Sequence, residues 1–295
     1  MVDVFHIGGT TLGPDFQSFL NYVGAPDQEG EVTAFPDLLV EVAGRLCYAS
    51  WKPYDGTEKT NPNVTKVRQG NEQYIVNIIK SGHGSVFEHV NFTFALMGVS
   101  RVLTHELVRH RAGCAYSQAS MRYIRLQEFD LVLPEEEGIT NHAMDLMRQG
   151  RDYLRDLVGS LNRELIETSP NKSFAHKKKM TSWIRRIAPI GISTNIIFTA
   201  NARAMRHIIM ARTSRHAELE IREAIGKVAV SCAHYAPNLF CDMVSNAHGE
   251  FTFPWYKVYC KDCEHETLDI TPEKVCLECE SENVVIVATE QRGKI

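Results

Sequence analysis

Four of the eight cysteines fall in two C-x-x-C pairs near the C-terminus, Cys260-Lys-Asp-Cys263 and Cys276-Leu-Glu-Cys279, with twelve residues between the pairs. Each pair lets two thiolates reach one ion from a tight turn, and two such turns complete a closed tetrahedral zinc site. A closed site has no open position for a substrate, so its expected role is structural. Four unrelated thiols, or one exchanging dithiol, account for the paired spacing less well. Ribbons of this type bind nucleic acid or another subunit, and the spacing does not choose between them.

The rest of the chain is composed like an ordinary globular protein, with 44% hydrophobic and 23% charged residues. Its 295 residues suffice for one large or two small domains with a core that hides about 75% of the unfolded surface. A net charge of −4 excludes polyanion binding by bulk charge, so nucleotide or phosphate chemistry needs a local cluster of cations. The apolar stretch 90–99 is short and is followed by Arg101, while 187–200 contains Ser193, Thr194 and Asn195. Neither approaches the ~20 clean apolar residues of a membrane span. The start carries Asp3 and no long apolar run, so the expected location is the cytoplasm. Disulfides are not expected there for the scattered Cys47, Cys114, Cys232 and Cys241.

Periodicity predicts a short strand over Val2–Ile7 and a helix over Pro36–Cys47. The glycines at 8, 9 and 13 do not make a dinucleotide-binding fingerprint. Val90, Phe92, Phe94 and Leu96 alternate as in a half-buried strand, and helical spacing resumes from Ser100 to about His110. A polar helical region runs from Glu135 to Thr168, followed by a loop-like stretch at 169–172 and the basic run His176–Lys179. One long helix is expected from Asn201 to about Val230. The mixture points to an α+β fold, an antiparallel sheet with flanking helices, over residues 1–250, with a zinc-ribbon module over 251–295.

Two basic clusters stand out. Arg109-His110-Arg111 is followed within fifteen residues by Cys114, Ser117, Gln118, Ser120 and Arg122. A helix C-terminus decorated with cations explains part of this. The small hydrogen-bonding residues and the planar fork of Arg122 equally suit an anionic ligand. Asn201, Arg203, Arg206, His207, Arg212, Arg215 and His216 crowd the expected long helix, with Arg203–His207 and Arg212–His216 at i,i+4 spacing. An anionic partner relieves their mutual repulsion, although Glu218, Glu220 and Glu223 neutralise part of it. Arg185 and Arg186 lie upstream and can join the same site.

Taken together, Gly82-His83-Gly84-Ser85-Val86-Phe87-Glu88-His89, Arg109-His110-Arg111 with Ser120 and Arg122-Tyr123, and Asn201-Ala202-Arg203 through Arg212 to Arg222 resemble the flavin-dependent thymidylate synthases. The resemblance runs from about Leu39 to Tyr235, in matching order and rough spacing. It implies a homotetramer with active sites at subunit interfaces, FAD, NADPH as hydride source and methylenetetrahydrofolate as one-carbon donor, acting on C5 of dUMP. By the same resemblance His83, Ser85, Arg109, His110, Arg111, Asn201, Arg203 and His207 surround the cofactors. Glu106, Gln118, Ser120, Arg122, Arg185 and Arg212 bind the nucleotide, and Arg212, Ser120 and His110 take part in catalysis. Glu106 stands where the family usually has glutamine, and His207 where it commonly has asparagine. The ribbon is an addition to the family's usual fold. Relatives that methylate UMP for nucleoside antibiotics offer an alternative substrate, and a zinc-ribbon nucleic-acid binder is the alternative of another class. Cys114 lies inside the motif, but a small half-buried cysteine is expected to pack rather than attack.

Overall fold

Alternation of Phe92, Phe94 and Leu96 with smaller or polar residues makes the central strand of an antiparallel sheet, and all three side chains are fully buried. The computed structural model describes residues 2–25, 34–56, 61–64, 66–123, 130–270, 272, 274–276 and 278–289. In chain order the first elements are β1 (Asp3–Gly9), α1 (Phe16–Tyr22), α2 (Phe35–Tyr48), α3 (Asn71–Lys80) and a 3-10 turn (Gly84–His89). There follow β2 (Asn91–Ser100), α4 (Arg101–Leu107), β3 (Cys114–Gln118), α5 (Asn141–Asn162) and α6 (Phe174–Ile184). The last part comprises β4 (Ser193–Asn201), α7 (Ala202–Thr213), α8 (Leu219–Tyr235), β5 (Val244–Ser245), β6 (Phe251–Thr252), β7 (Trp255–Cys260), β8 (Glu266–Asp269) and β9 (Val284–Thr289).

The main sheet has the order β1-β2-β4-β3, every pair antiparallel. Phe94 pairs with Phe198 across β2 and β4, and their rings stack at 5.8 Å. One face packs on α3 through Ile75, Ile78 and Ile79, on α7 through Met205, Ile208 and Ile209, and on α8 through Ile221, Ile225 and Val228. Each such side chain contributes about 1.5–3 kcal/mol by leaving water. The opposite face leaves Phe5, Ile7 and Ile197 exposed.

The α+β expectation holds, with one local correction. The long helix predicted from 201 to 230 is two helices. Ser214 turns extended after α7, and Glu218 caps α8 by accepting from the backbone N–H groups of Glu220 and Ile221. The carboxylate cap restarts the helix where summed propensity alone predicts continuity. His216 therefore sits in the connecting turn, away from the i,i+4 face assigned to it with Arg212. The run His176–Lys179 follows the expected loop and is helical, because Ser173 caps α6 through a bond from His176 N.

Three strands in the order β8-β7-β9 form the C-terminal module, and the β5–β6 hairpin straddles the boundary expected at 250. Ile270 joins the main core, and Asp269, 4% exposed, takes a 2.6 Å ion pair from Lys80 at the end of α3. Among the described residues no helix is long and apolar enough to cross a membrane.

Candidate active site and metal centre

Helix α4 starts at Ser100, whose hydroxyl accepts from Leu103 N while the buried Glu220 carboxylate holds both the Ser100 amide and its hydroxyl. Seven residues later the helix ends, and the turn that follows carries Arg109, His110 and Arg111. Gly113 closes this turn at φ +69°, and a Cβ there would fall 2.4 Å from Asn201 Nδ2. Only glycine permits both the backbone angle and the approach. Its carbonyl accepts from Asn201 N at 2.9 Å. Asn201 ends β4 and caps α7, with Oδ1 accepting from Ala204 N, so its Nδ2 protons remain for the space over Gly113.

One turn along α7, Arg203 and His207 share a face at i,i+4 spacing. With Arg109, His110, Arg111 and Asn201 they line a cleft of about 550 Å³. One carboxylate lines it too, Glu88, and it is paired with Arg203 at 2.7 Å. Arg109, Arg111, Arg203 and His207 are exposed to this cleft, while His110 is half-buried.

Arg212 joins α7 to α4. Its Nη1 donates to Glu106 Oε2 at 2.7 Å, Nη2 to the Glu106 carbonyl at 2.9 Å, and Nε to His110 Nε2 at 2.9 Å. A guanidinium can only donate, so His110 Nε2 accepts and the ring proton sits on Nδ1. Burial first, then the charges of Arg212 and His207, push the His110 pKa down to about 4. The ring is therefore neutral at pH 7. Glu106 is compensated by the cation it binds. Burial raises the thiols of Cys114, Cys232 and Cys241, the last to about 12, which disfavours a thiolate at any of the three.

A second basic patch lies at the end of β3. The Ser120 hydroxyl accepts from Arg122 N at 3.3 Å, and Arg122 Nε donates to Ser182 Oγ on α6 at 3.1 Å. Gln118 is held by a bond to Thr104 Oγ1. Arg101, which sequence reasoning passed over, donates to the Ala119 carbonyl at 3.0 Å, and its Nε is buried without a hydrogen-bond partner. Burial first, then the neighbouring charge of Arg185, lowers the Arg101 pKa. Its position just after the Ser100 cap was legible in the sequence, but nothing local marked it as facing Arg185. Arg206, by contrast, is not part of any cation site: it is 6% exposed and forms a bidentate pair with Asp242 at 2.7 and 2.6 Å. His83 and Ser85 stand elsewhere. Ser85 is exposed on the 3-10 turn, and His83 lines a different cleft beside Tyr48.

The four C-terminal cysteines converge. Cys260 Sγ lies 3.6 Å from Cys279 Sγ, Cys263 Sγ 3.5 Å from Cys276 Sγ, and all four sulfurs are within 4.8 Å of one another. Tetrahedral ligation with Zn–S bonds of ~2.3 Å places sulfurs ~3.8 Å apart, so the donor set fits zinc, and the distances exclude disulfides. The two knuckles are equivalent: Glu264 and Glu280, each just after the second cysteine, have φ of 59° and 60°. Asp262 ties them together through Ser281 Oγ and Asn283 Nδ2.

Residues 31–238, which span both basic patches and His83, match the family described as thymidylate synthase complementing protein. The chain belongs to that family. Similar proteins named flavin-dependent thymidylate synthase include one from Mycobacteroides abscessus, 37% identical over 212 residues that cover 69% of this chain and 78% of the relative. Another from Mycobacterium sp. (strain JLS) is 36% identical over 217 residues, covering 69% and 78%. A third, from Mycobacterium leprae (strain Br4923), is 34% identical over 224 residues, covering 72% and 82%. The resemblance drawn from the motifs holds, and the enzyme class with it. The matched segment of the thymidylate synthase complementing family stops short of the cysteines, so the metal centre lies outside it.

Proposed function

We propose that the chain methylates C5 of dUMP to give dTMP, with bound FAD, methylenetetrahydrofolate as one-carbon donor and NADPH as hydride source. The observation that carries this reading is the cleft in which Arg109, Arg111 and Arg203 meet the Asn201 amide over Gly113. Guanidinium forks recognise phosphate bidentately, and a glycine at the contact lets backbone and ligand approach closely. Bound flavin supplies the hydride carrier that the side chains themselves lack. His110, neutral and fixed by Arg212, leaves the cleft with an uncharged Nδ1–H donor rather than a further cation.

Arg212 uses three of its five N–H groups on Glu106 and His110. Two remain to stabilise negative charge developing on a pyrimidine ring, a role like that of an oxyanion hole. Gln118, Ser120, Arg122 and Arg185 hold the nucleotide, and the orphaned Nε of Arg101 adds a donor beside them. The raised thiols support chemistry without an attacking cysteine. Because His83 lines one cleft and Arg109 another, a single chain leaves the cofactor residues divided. We read this, with the exposed Phe5, Ile7 and Ile197 on the outer sheet face, as the mark of a homotetramer whose sites form between subunits. The four cysteines hold structural zinc.

The test is an absorption spectrum of the purified protein, then methylation assays with dUMP and UMP in parallel. A yellow preparation that turns over dUMP is expected. A colourless preparation rejects flavin, and a strong preference for UMP rejects the substrate.

A further inference from the structure

Charge is distributed unevenly along the chain. Residues 168–217, fifty in a row, hold ten Lys and Arg and not one Asp or Glu. Residues 251–295 hold nine Asp and Glu against five Lys and Arg, so the whole net charge of −4 belongs to the cysteine module. In the basic stretch Arg203, Arg206 and Arg212 find carboxylates at 2.7 Å or less. Among the described residues no carboxylate pairs with Lys177, Lys179 or Arg186, and all three are exposed. Lys179 and Trp183 share a face of α6 at i,i+4 spacing, and Trp183 is 54% exposed. Unpaired cations around a bare indole suit a partner that is acidic and apolar at once.

The knuckle end of the module has that character. Glu264, Glu278, Glu280 and Glu282 are exposed there, and among the described residues no cation pairs with any of them. Four thiolates outweigh one Zn²⁺, so a loaded pair of knuckles is itself a net anion. The strand register sets Tyr259 opposite Val285 and Lys257 opposite Val287, which puts both valines on one face. Val285 and Val287 are 38% and 52% exposed, an apolar strip that ends in acid. Such an end repels a phosphate backbone and a second copy of itself. Within one chain the module is clasped to α3 through Lys80 and Asp269 while α6 packs on α5, and among the described residues no ion pair joins the two patches.

We propose that the cysteine module of one copy docks on α6 of a second copy, its acidic knuckles against Lys177, Lys179 and Arg186 and its valine strip against Trp183. The family match ends at residue 238, so this contact adds to any assembly that the enzyme half makes by itself. It needs no nucleotide and no flavin, and it stands or falls apart from the methylation reading.

A carbodiimide joins a carboxylate to a lysine only where the two touch. The full zinc-loaded chain is treated with it, the products are separated on a denaturing gel, and joined peptides are read by mass spectrometry. The expected product is a covalent dimer in which Glu278, Glu280 or Glu282 is joined to Lys177 or Lys179, with a yield that falls as salt rises. Glu278→Lys/Glu282→Lys and Lys177→Glu/Lys179→Glu should each lower that yield about tenfold, as exposed ion pairs turned repulsive imply. Both reversals in one chain should restore the dimer, with lysine and carboxylate exchanged. Zinc per chain, measured alongside, reports an intact module, and the helix variant carries the comparison alone if the ribbon variant loses its metal. The same joined peptides in the monomer band place the contact within one chain and overturn the proposal. A dimer joined only at other residues overturns it as well. So does a single-stranded RNA retained through Lys177 and Lys179 in a mobility shift, with no peptide joined to the module.

Discussion

Arg206 sits in a helix crowded with cations, yet its surroundings predict a purely structural role that can be measured. Its guanidinium meets both Asp242 oxygens at 2.7 and 2.6 Å, bonds the Leu239 carbonyl at 2.9 Å and lies 3.9 Å from the centre of the Phe253 ring. The two side chains are 7% and 1% exposed. Arg206→Leu leaves the Asp242 carboxylate buried without a counterion, which costs about 3–5 kcal/mol. At ~2–4 °C per kcal/mol for a chain of this size, the midpoint of thermal unfolding should drop by about 6–20 °C. Replacing both partners by apolar residues, Arg206→Leu/Asp242→Leu, should recover most of that loss, because the penalty belongs to the stranded charge. Calorimetry on the four proteins of the cycle measures the coupling directly. Flavin bound per folded chain, measured below the transition, should not change. A single-variant cost under about 1 kcal/mol, or a double variant no better than the single, refutes the argument.

Other arginines of the basic clusters should behave differently. Arg109→Ala should release flavin, while Arg212→Ala should retain it and weaken dUMP binding by about 10–100-fold, the worth of a charge-assisted hydrogen bond; equilibrium dialysis with each ligand separates the two. The lowered His110 pKa makes the unfolded chain bind the extra proton between pH 6.5 and about 4, so stability is present above that window and is lost as pH falls through it. Allowing for partial exposure, the loss from pH 7 to 5 should be about 1–2 kcal/mol. Asp37, raised by burial to about 6, works in the opposite sense, so the comparison is of urea midpoints for the native chain and His110→Gln; parallel pH profiles would count against the assignment. Cys260→Ser and Cys276→Ser should each lower bound zinc and loosen the C-terminal module without abolishing turnover. Metal analysis with an activity assay checks this, and vanished turnover in an intact, assembled protein would make the ribbon catalytic.

Much of this was legible in the sequence because the signals are local. The two C-x-x-C pairs specify their own convergence, and the alternation through Phe92, Phe94 and Leu96 specifies a half-buried strand whatever the chain does elsewhere. Arg109, His110, Arg111, Asn201, Arg203 and His207 could be picked out by type and spacing, and they do share a cleft. What escaped depends on partners distant in the chain. Arg206 and Arg203 look alike in a row of letters, and the difference is Asp242, thirty-six residues on. The break between α7 and α8 turns on Glu218 acting as a cap rather than as a neutralising surface charge. Arg101 becomes a candidate only when α6 brings Arg185 beside it. Glu106 finds its counterion in Arg212, 106 residues further along.

The ion pair between Lys80 and Asp269 joins positions 189 residues apart. With Ile270 seated in the central core, it works as a clasp that shuts the last module onto the first third of the chain. The clasp closes on the final residue of α3, three positions ahead of His83. The cysteine module is thus tied to the helix that leads into the histidine's own turn, and clipping the tail away would uncover apolar surface in the enzyme half.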